Sequence, residues 1–211
     1  MSMLNPWTEI PIEDYEKHMS DRNVYQLQTL SAILKSKLNK YKPSSLAVLG
    51  VGSGNGLEHV DQRATPEIYG IDINESYLRI CENRYQKVLP GLHLHRCDIQ
   101  NDEIPIPRVQ MIACNLIFEY VHAGIVIDKI CKKVTAEGVI TVVIQNSNGI
   151  SSISKTGIQS LNSLASIFKE VLIDDLISKF DRVGFQKAEQ EAMELPNGKN
   201  FTIADFKNIV F

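Results

Sequence analysis

Hydrophobic and polar positions change their period several times along this chain, and each change marks an element. Val24, Leu27, Leu30, Leu34 and Leu38 recur three or four residues apart, which predicts a helix with one apolar face. A shorter helical pattern over 12–19 precedes it, and Pro43 closes the segment. Beyond Pro43, short β-rich runs alternate with helical stretches: strand 46–51, a helix from Leu57, strand 68–72, helix 75–88 and strand 92–97. Strand 110–114, helix 125–134 and strand 139–144 continue the alternation. This rhythm implies a parallel sheet covered on both faces, and the unbroken apolar character of 139–144 suits its middle.

The pattern then shifts. Residues 147–166 are rich in Ser, Asn and Gly, yet Ile158, Leu161, Leu164, Ile167 and Phe168 keep a helical spacing. They predict a short helix near the carboxyl edge of the sheet, where open α/β sheets bind ligands. A helix over 174–183 stops at Gly184, a residue suited to the left-handed cap. Runs 185–195 and 201–206 flank Pro196-Asn197-Gly198-Lys199, and Asn-Gly between strand-like runs is a strong hairpin signal. The expected fold is α/β and Rossmann-like: a doubly wound, mostly parallel seven-stranded sheet that ends in an antiparallel hairpin. A helical leader, 1–42, precedes a domain over 43–211.

At 211 residues and 44% hydrophobic, the chain can bury one sizeable core but not two ordinary ones. Its 22 basic and 25 acidic residues give a net charge of −3, so no basic field gathers nucleic acid or anionic lipid. A small-molecule partner is expected, with no nucleic acid and no membrane. Cys81, Cys97, Cys114 and Cys131 stand singly, without a CxxC pair or a secretory leader, which reads as reduced thiols in the cytoplasm. No apolar run approaches the roughly 20 residues of a membrane helix.

The first strand of the alternation runs into VLGVGSGNGLEHV, with glycine at 50, 52, 54 and 56. Such a turn lets a ligand lie against the backbone with no Cβ in the way. A dinucleotide fingerprint needs glycines at i, i+2 and i+5, and the last place falls on Asn55, Leu57 or His59; the spacing argues against NAD or FAD. No Gly-Lys-Ser/Thr follows, which excludes a P-loop. IYGIDIN puts Asp72 at the tip of the second strand, about 20 residues on, where a carboxylate can grip a ribose. Asn74, ahead of ESYLRICENRY, is the better helix cap of the two. LHLHRCDIQ puts Asp98 at the tip of the third strand, as a ligand contact or as a solvated loop acid. His93, His95 and Cys97 share one strand face but lack a fourth ligand, so no metal is expected.

These segments resemble motifs I, II and III of class I S-adenosylmethionine-dependent methyltransferases, with IACNLIFEYV and GVITVVIQ similar to that family's fourth and fifth strands. The resemblance runs over about 46–211. It implies S-adenosylmethionine as cofactor, with Gly50, Gly52, Gly54 and Asn55 in the loop along its methionine and ribose. It also implies Asp72 on the ribose hydroxyls, Ile73 on the adenine, Asp98 and Ile99 at the adenine edge, and Asn115 beside the methionine. Gly50 stands where most of the family has Asp or Glu. LAVLGVGSGNGLEHV, the leader PWTEIPIEDYEKHM and FEYV resemble a branch of small bacterial methyltransferases in which glycine is common there.

Methyl transfer is a direct displacement that benefits from alignment and water exclusion. A base is needed only for a protonated acceptor, and the candidates are Glu119, Tyr120 and His122 after the fourth strand, with Tyr15 and His18 in the leader. On a 12–19 helix Tyr15, His18 and Met19 share a face, which predicts a lid meeting Glu119 and Tyr120. The competing expectation is that the leader only caps the side of the sheet through Val24, Leu27 and Leu30. NLIF lacks both prolines of the Asn-Pro-Pro-aromatic motif of amino-group methyltransferases. Two other function classes remain: a non-catalytic methyltransferase-like cofactor-binding protein and a nicotinamide-dependent oxidoreductase.

Overall fold

The computed structural model describes residues 5–151, 153–154 and 156–208. Positions 1–4 of the predicted leader and 209–211 of the predicted domain lie outside the described residues. Helices α1 (Ile12–Ser20) and α2 (Gln26–Tyr41) lead into β1 (Ser45–Leu49). The chain continues through β2 (Glu67–Asp72), α3 (Glu75–Tyr85), β3 (Leu92–Arg96), β4 (Val109–Asn115), α4 (Ala123–Ile130) and β5 (Val134–Asn146). It closes with α5 (Ile173–Arg182), β6 (Phe185–Glu194) and β7 (Asn200–Asn208). The seven strands form one sheet in the order β3-β2-β1-β4-β5-β7-β6. The first five run parallel and β7 is antiparallel to both β5 and β6, the Rossmann-like arrangement with its terminal hairpin.

Strand alternation sorts β1 onto two faces. Leu46 and Val48 pack with Leu34 and Leu38 of α2 and Leu78 and Cys81 of α3. Ala47 and Leu49 join Val126, Ile127 and Ile130 of α4 and Leu176 and Phe180 of α5. Asn74 caps α3, its Oδ1 accepting from the N–H groups of Ser76 and Tyr77. Gly184, at φ 82°, lies just past the end of α5.

Three predicted elements change form. The helix expected from Leu57 is only a 3-10 turn, Leu57–His59. Val60 is already extended, and Asp61 accepts the Arg63 N–H to start a new turn before Pro66, so the segment has no room for a helix. The 125–134 helix instead ends at Ile130, and β5 begins at Val134, paired with Val109 ahead of a register shift toward Met111. The 158–168 helix is a 3-10 segment, Gln159–Ser166, that buries Leu161 and Leu164.

Because β7 runs against β5, with Asn200 opposite Asn146, the β6–β7 turn arrives at the carboxyl edge of the parallel strands. A buried polar knot fixes this antiparallel addition to the leader. Asp205, fully buried, accepts from Lys37 Nζ at 2.9 Å, Tyr41 Oη at 2.6 Å and Thr141 Oγ1 at 2.8 Å. Glu191, half exposed, takes a second Lys37 hydrogen bond at 2.8 Å. Asp205→Ala should destabilise the fold by about 3–5 kcal/mol, because it leaves the buried Lys37 ammonium only the half-exposed Glu191 and takes the acceptor from Tyr41 and Thr141. Glu191→Ala should cost under about 1 kcal/mol. Urea unfolding of both variants measures the contrast.

Candidate functional site

A cavity opens along the carboxyl edge, lined by Gly50 and Gly52 after β1, Asp72 and Ile73 after β2, Asp98 and Ile99 after β3, and Asn115 at the end of β4. Of the residues expected there, Gly54 and Asn55 are not on its wall. Gly54 packs against Tyr85 and Cys81, and Asn55 Nδ2 donates to the Leu27 carbonyl of α2. Both shape the loop from behind.

Gly52 is the bare point of that loop: a Cβ there would meet nothing within 4 Å, and its φ of +56° favours glycine. Its N–H donates to Asp72 Oδ2 at 2.8 Å, while Asp72 Oδ1 accepts the Asn74 N–H at 2.9 Å. Burial pushes the Asp72 carboxyl up to about 6, against the opposing pull of the Asn74, Gly52 and Ile73 N–H groups. Asp98 is spent differently. Its Oδ1 accepts from the Gln100 and Asn101 N–H groups and its Oδ2 from Asn101 Nδ2, so it builds its own turn while bordering the cavity.

After Asn115 the backbone enters the left-handed region at Leu116, φ 55°, a conformation that costs a non-glycine residue of order 1–3 kcal/mol. The Leu116 N–H reaches the Val143 carbonyl at 2.9 Å, and the twist turns the next residues over the edge. Glu119, 1% exposed, is held there by the Gln145 N–H at 2.7 Å on Oε1. Oε2 is buried with no hydrogen-bond partner among the described residues. Burial pushes its carboxyl up to about 7.

α1 roofs this part of the cavity with Tyr15, His18 and Met19. Tyr15 stacks on Tyr77 at 6.1 Å and meets Trp7 edge-on at 5.8 Å; Trp7 meets Tyr120 at 5.0 Å, and Tyr120 meets Phe168 at 5.9 Å. Burial raises the Tyr15 and Tyr120 phenols above their ordinary range, which works against either acting as a base near neutral pH. His18 Nδ1 lies 2.7 Å from Thr156 Oγ1. Burial, then the nearby Lys199 charge, lowers its pKa. His122 is off the wall, capping α4 through the Ile125 N–H. His93 and His95 stack on Tyr69.

Sequence reasoning missed Trp7, Gln26, Tyr77, Gln145 and Lys199, all on the cavity wall. Lys199 had a readable signal: it lies in the turn before an antiparallel β7, and such a turn must return to the carboxyl edge. Gln26 and Gln145 meet across 119 residues of chain, Nε2 to Oε1 at 2.6 Å, and carry no local signal.

The fold is that of the class I S-adenosylmethionine-dependent methyltransferases. Residues 47–138 match the model of the methyltransferase domain family. No curated protein matches the chain. Among solved structures, the N-methyltransferase NodS from Bradyrhizobium japonicum, crystallised with S-adenosyl-L-homocysteine, is similar at TM-score 0.67 and 12% identity, covering 98% of this chain and 100% of that one. Magnesium protoporphyrin IX methyltransferase from Synechocystis is similar at TM-score 0.65 and 13% identity, with 92% of each chain covered. The [4+2]-cyclase SpnF is similar at TM-score 0.66 and 12% identity, covering 87% of this chain and 82% of that one. At these identities the likeness is one of fold, and SpnF marks how far chemistry varies on it.

Asp72 sets a pH signature. Its folded pKa of about 6 lies above the ordinary 3.8, so the native state binds more protons between those values. Its contribution to stability therefore falls as pH rises through that window. From pH 4 to 7 the Asp72→Asn variant should gain roughly 2–3 kcal/mol relative to wild type, read by urea unfolding at each pH.

Proposed function

We propose that this protein is an S-adenosylmethionine-dependent methyltransferase acting on a small-molecule acceptor in the cytoplasm, with no nucleic acid substrate. The observation that carries the reading is Asp72, a buried carboxylate on the cavity wall beside the bare Gly52. It is an acceptor placed for vicinal hydroxyls at the tip of β2. Ile73 and Ile99 supply apolar surface for an adenine, Asp98 borders its edge, and Gly50, Gly52 and Asn115 lie where the methionine end would be held. The residues present fit the cofactor: a side chain longer than hydrogen at position 52 would take up open cavity space. When bound, the cofactor supplies a sulfonium methyl that moves to the acceptor nucleophile while the carbon–sulfur electron pair stays on sulfur. Glu119, with its carboxyl near 7, is the group poised to take a proton from the acceptor. The NodS structure in complex with S-adenosyl-L-homocysteine supports the same cofactor class.

The leader is the lid in this reading. Glu16 of α1 takes hydrogen bonds from Ser53 in the glycine loop and Arg84 of α3, and Trp7 and Tyr15 cover the edge that the sheet leaves open. α2 packs on the sheet face, Leu34 and Leu38 with Leu46 and Val48 of β1, and Leu27 and Leu30 with Val143 of β5 and Phe201 and Ile203 of β7.

Calorimetry with S-adenosylhomocysteine tests the proposal. Wild type should bind, and Asp72→Ala should weaken binding about tenfold or more, since a charged hydrogen bond is worth about 1.5–3 kcal/mol. Affinity should also fall below pH 6, as Asp72 protonates. Removing the residues before Ser20, or making Tyr15→Phe or His18→Ala, should cost affinity or turnover in a still-folded protein. Unchanged behaviour in all three variants would remove the lid, and binding without turnover on any acceptor would leave a cofactor-binding protein.

A further inference from the structure

The carboxyl groups on the cavity wall are not alike. Asp72 is held by the Gly52 and Asn74 N–H groups, and Asp98 by the N–H groups of its own turn. Both belong to the half that the proposed cofactor takes up. Glu119 lies past Asn115, its Oε1 held by the Gln145 N–H of β5, and its buried Oε2 meets no donor among the described residues. Lys199 of the same wall has an interaction of its own within the chain, and His18 is bound to Thr156. The free oxygen shares its surroundings with aromatic rings. Trp7, Tyr15, Tyr120 and Phe168 line this end of the cavity, and successive rings meet at 77°, 88° and 78°. Rings set nearly at right angles make corners rather than one flat wall.

We propose that this end of the cavity is the acceptor subsite and that it takes an amine on an apolar body, bound as its ammonium between Glu119 Oε2 and the aromatic rings. The assignment rests on the methyltransferase reading for its role but on these side chains for its chemistry. A buried carboxylate oxygen without a donor is costly, and a cation that donates to it removes both the missing hydrogen bond and the uncompensated charge. An alcohol supplies only the first. Aromatic faces around a desolvated cation add to that preference, and burial keeps the Tyr15 and Tyr120 phenols protonated and neutral. The Glu119 charge is close enough to act on the Tyr120 phenol, which puts the carboxylate and the rings at one point. Leu161 and Leu164 offer apolar surface to the rest of the ligand. In transfer, the ammonium gives one proton to Glu119 and its freed lone pair forms the bond to the methyl, whose former bonding pair stays on sulfur. The product is again an ammonium, and Glu119 passes its proton to water.

The test is a binding measurement that needs no turnover. Benzylamine, phenethylamine and tryptamine are titrated into the protein with and without S-adenosylhomocysteine, beside phenethyl alcohol, which keeps the shape without the charge, and hydrocinnamate, which reverses the charge. At least one amine should bind about tenfold or more tightly than both controls. That preference should vanish in Glu119→Gln, which keeps an acceptor for the Gln145 N–H, while S-adenosylhomocysteine affinity is kept. Tyr120→Leu and Phe168→Leu should each weaken the amine about threefold or more and leave phenethyl alcohol nearly unchanged. Equal binding of amine and alcohol by wild type overturns the proposal without any variant. So does tighter binding of hydrocinnamate, no binding of any amine at millimolar concentration, or an amine preference that survives Glu119→Gln. Unchanged amine affinity in both ring variants removes the aromatic contribution and the proposal with it. If amines bind as expected and S-adenosylhomocysteine does not, the subsite stands and the methyltransferase reading falls; the reverse result keeps that reading and discards the subsite.

Discussion

The carboxylate of Asp72 is the point on which the carboxyl edge turns. It is buried, and backbone N–H groups hold it rather than a cation. One oxygen draws the glycine loop back against β2 and the other sets the first residue ahead of α3. The shape of the β1 loop and the start of α3 therefore share one anchor. The same burial that raises its pKa makes it a strong acceptor for any ligand hydroxyl, because an acceptor out of water is electrostatically stronger.

What covers that edge is held by two kinds of contact with different strengths. Glu16 reaches Ser53 and Arg84, Asp14 accepts from Ser160 Oγ at 2.6 Å, and His18 pairs with Thr156. These tie α1 to the glycine loop, to α3 and to the segment between β5 and α5, yet exposed pairs such as Glu16 with Arg84 contribute only about 0–1 kcal/mol. The edge-on contacts of Trp7 with Tyr15 and Tyr120, and of Tyr120 with Phe168, are worth about 0.5–1.5 kcal/mol each beyond their buried area. Aromatic packing therefore holds α1 down, and the polar ties set where it lies. A roof held by a few such contacts fits the lid proposed for α1, which would have to lift at modest cost.

The sheet was legible because its signals are local: apolar runs between turn residues, Gly184 after a helix, Asn197-Gly198 between two strands. The first half of the cavity was legible for the same reason, since Gly50, Gly52, Asp72 and Asn115 each sit at a strand tip that the pattern marks. What escaped depends on distant partners. The short turn after Gly56 hides in a sequence with helical periodicity, because the Asp61 turn and Pro66 decide its length. The start of β5 escaped because Thr135, Ala136, Glu137 and Gly138 look like a loop until Val109 pairs with Val134. β6 is exposed at all positions after Phe185, and its alternating Gln, Lys and Glu guard an open edge rather than report a core.

Gly50 shows how a departure at one position is answered by the surrounding packing. A Cβ there would come within 2.4 Å of Ile117 Cδ1, and its φ is +67°. The tip of Ile117 can swing aside, but the backbone angle costs a side chain about 1–2 kcal/mol. The acid common at this place in the methyltransferases that this loop resembles would thus need both a strained backbone and a displaced Ile117. Carboxylates reach this cavity instead from Asp72 and Asp98 on one side and from Glu119 on the other. Glu119 owes its position to the left-handed turn at Leu116, which lies against the same Ile117 in sequence. Ile117 thus stands against the bare glycine loop, and the left-handed turn just before it carries Glu119 to its buried place further along the edge.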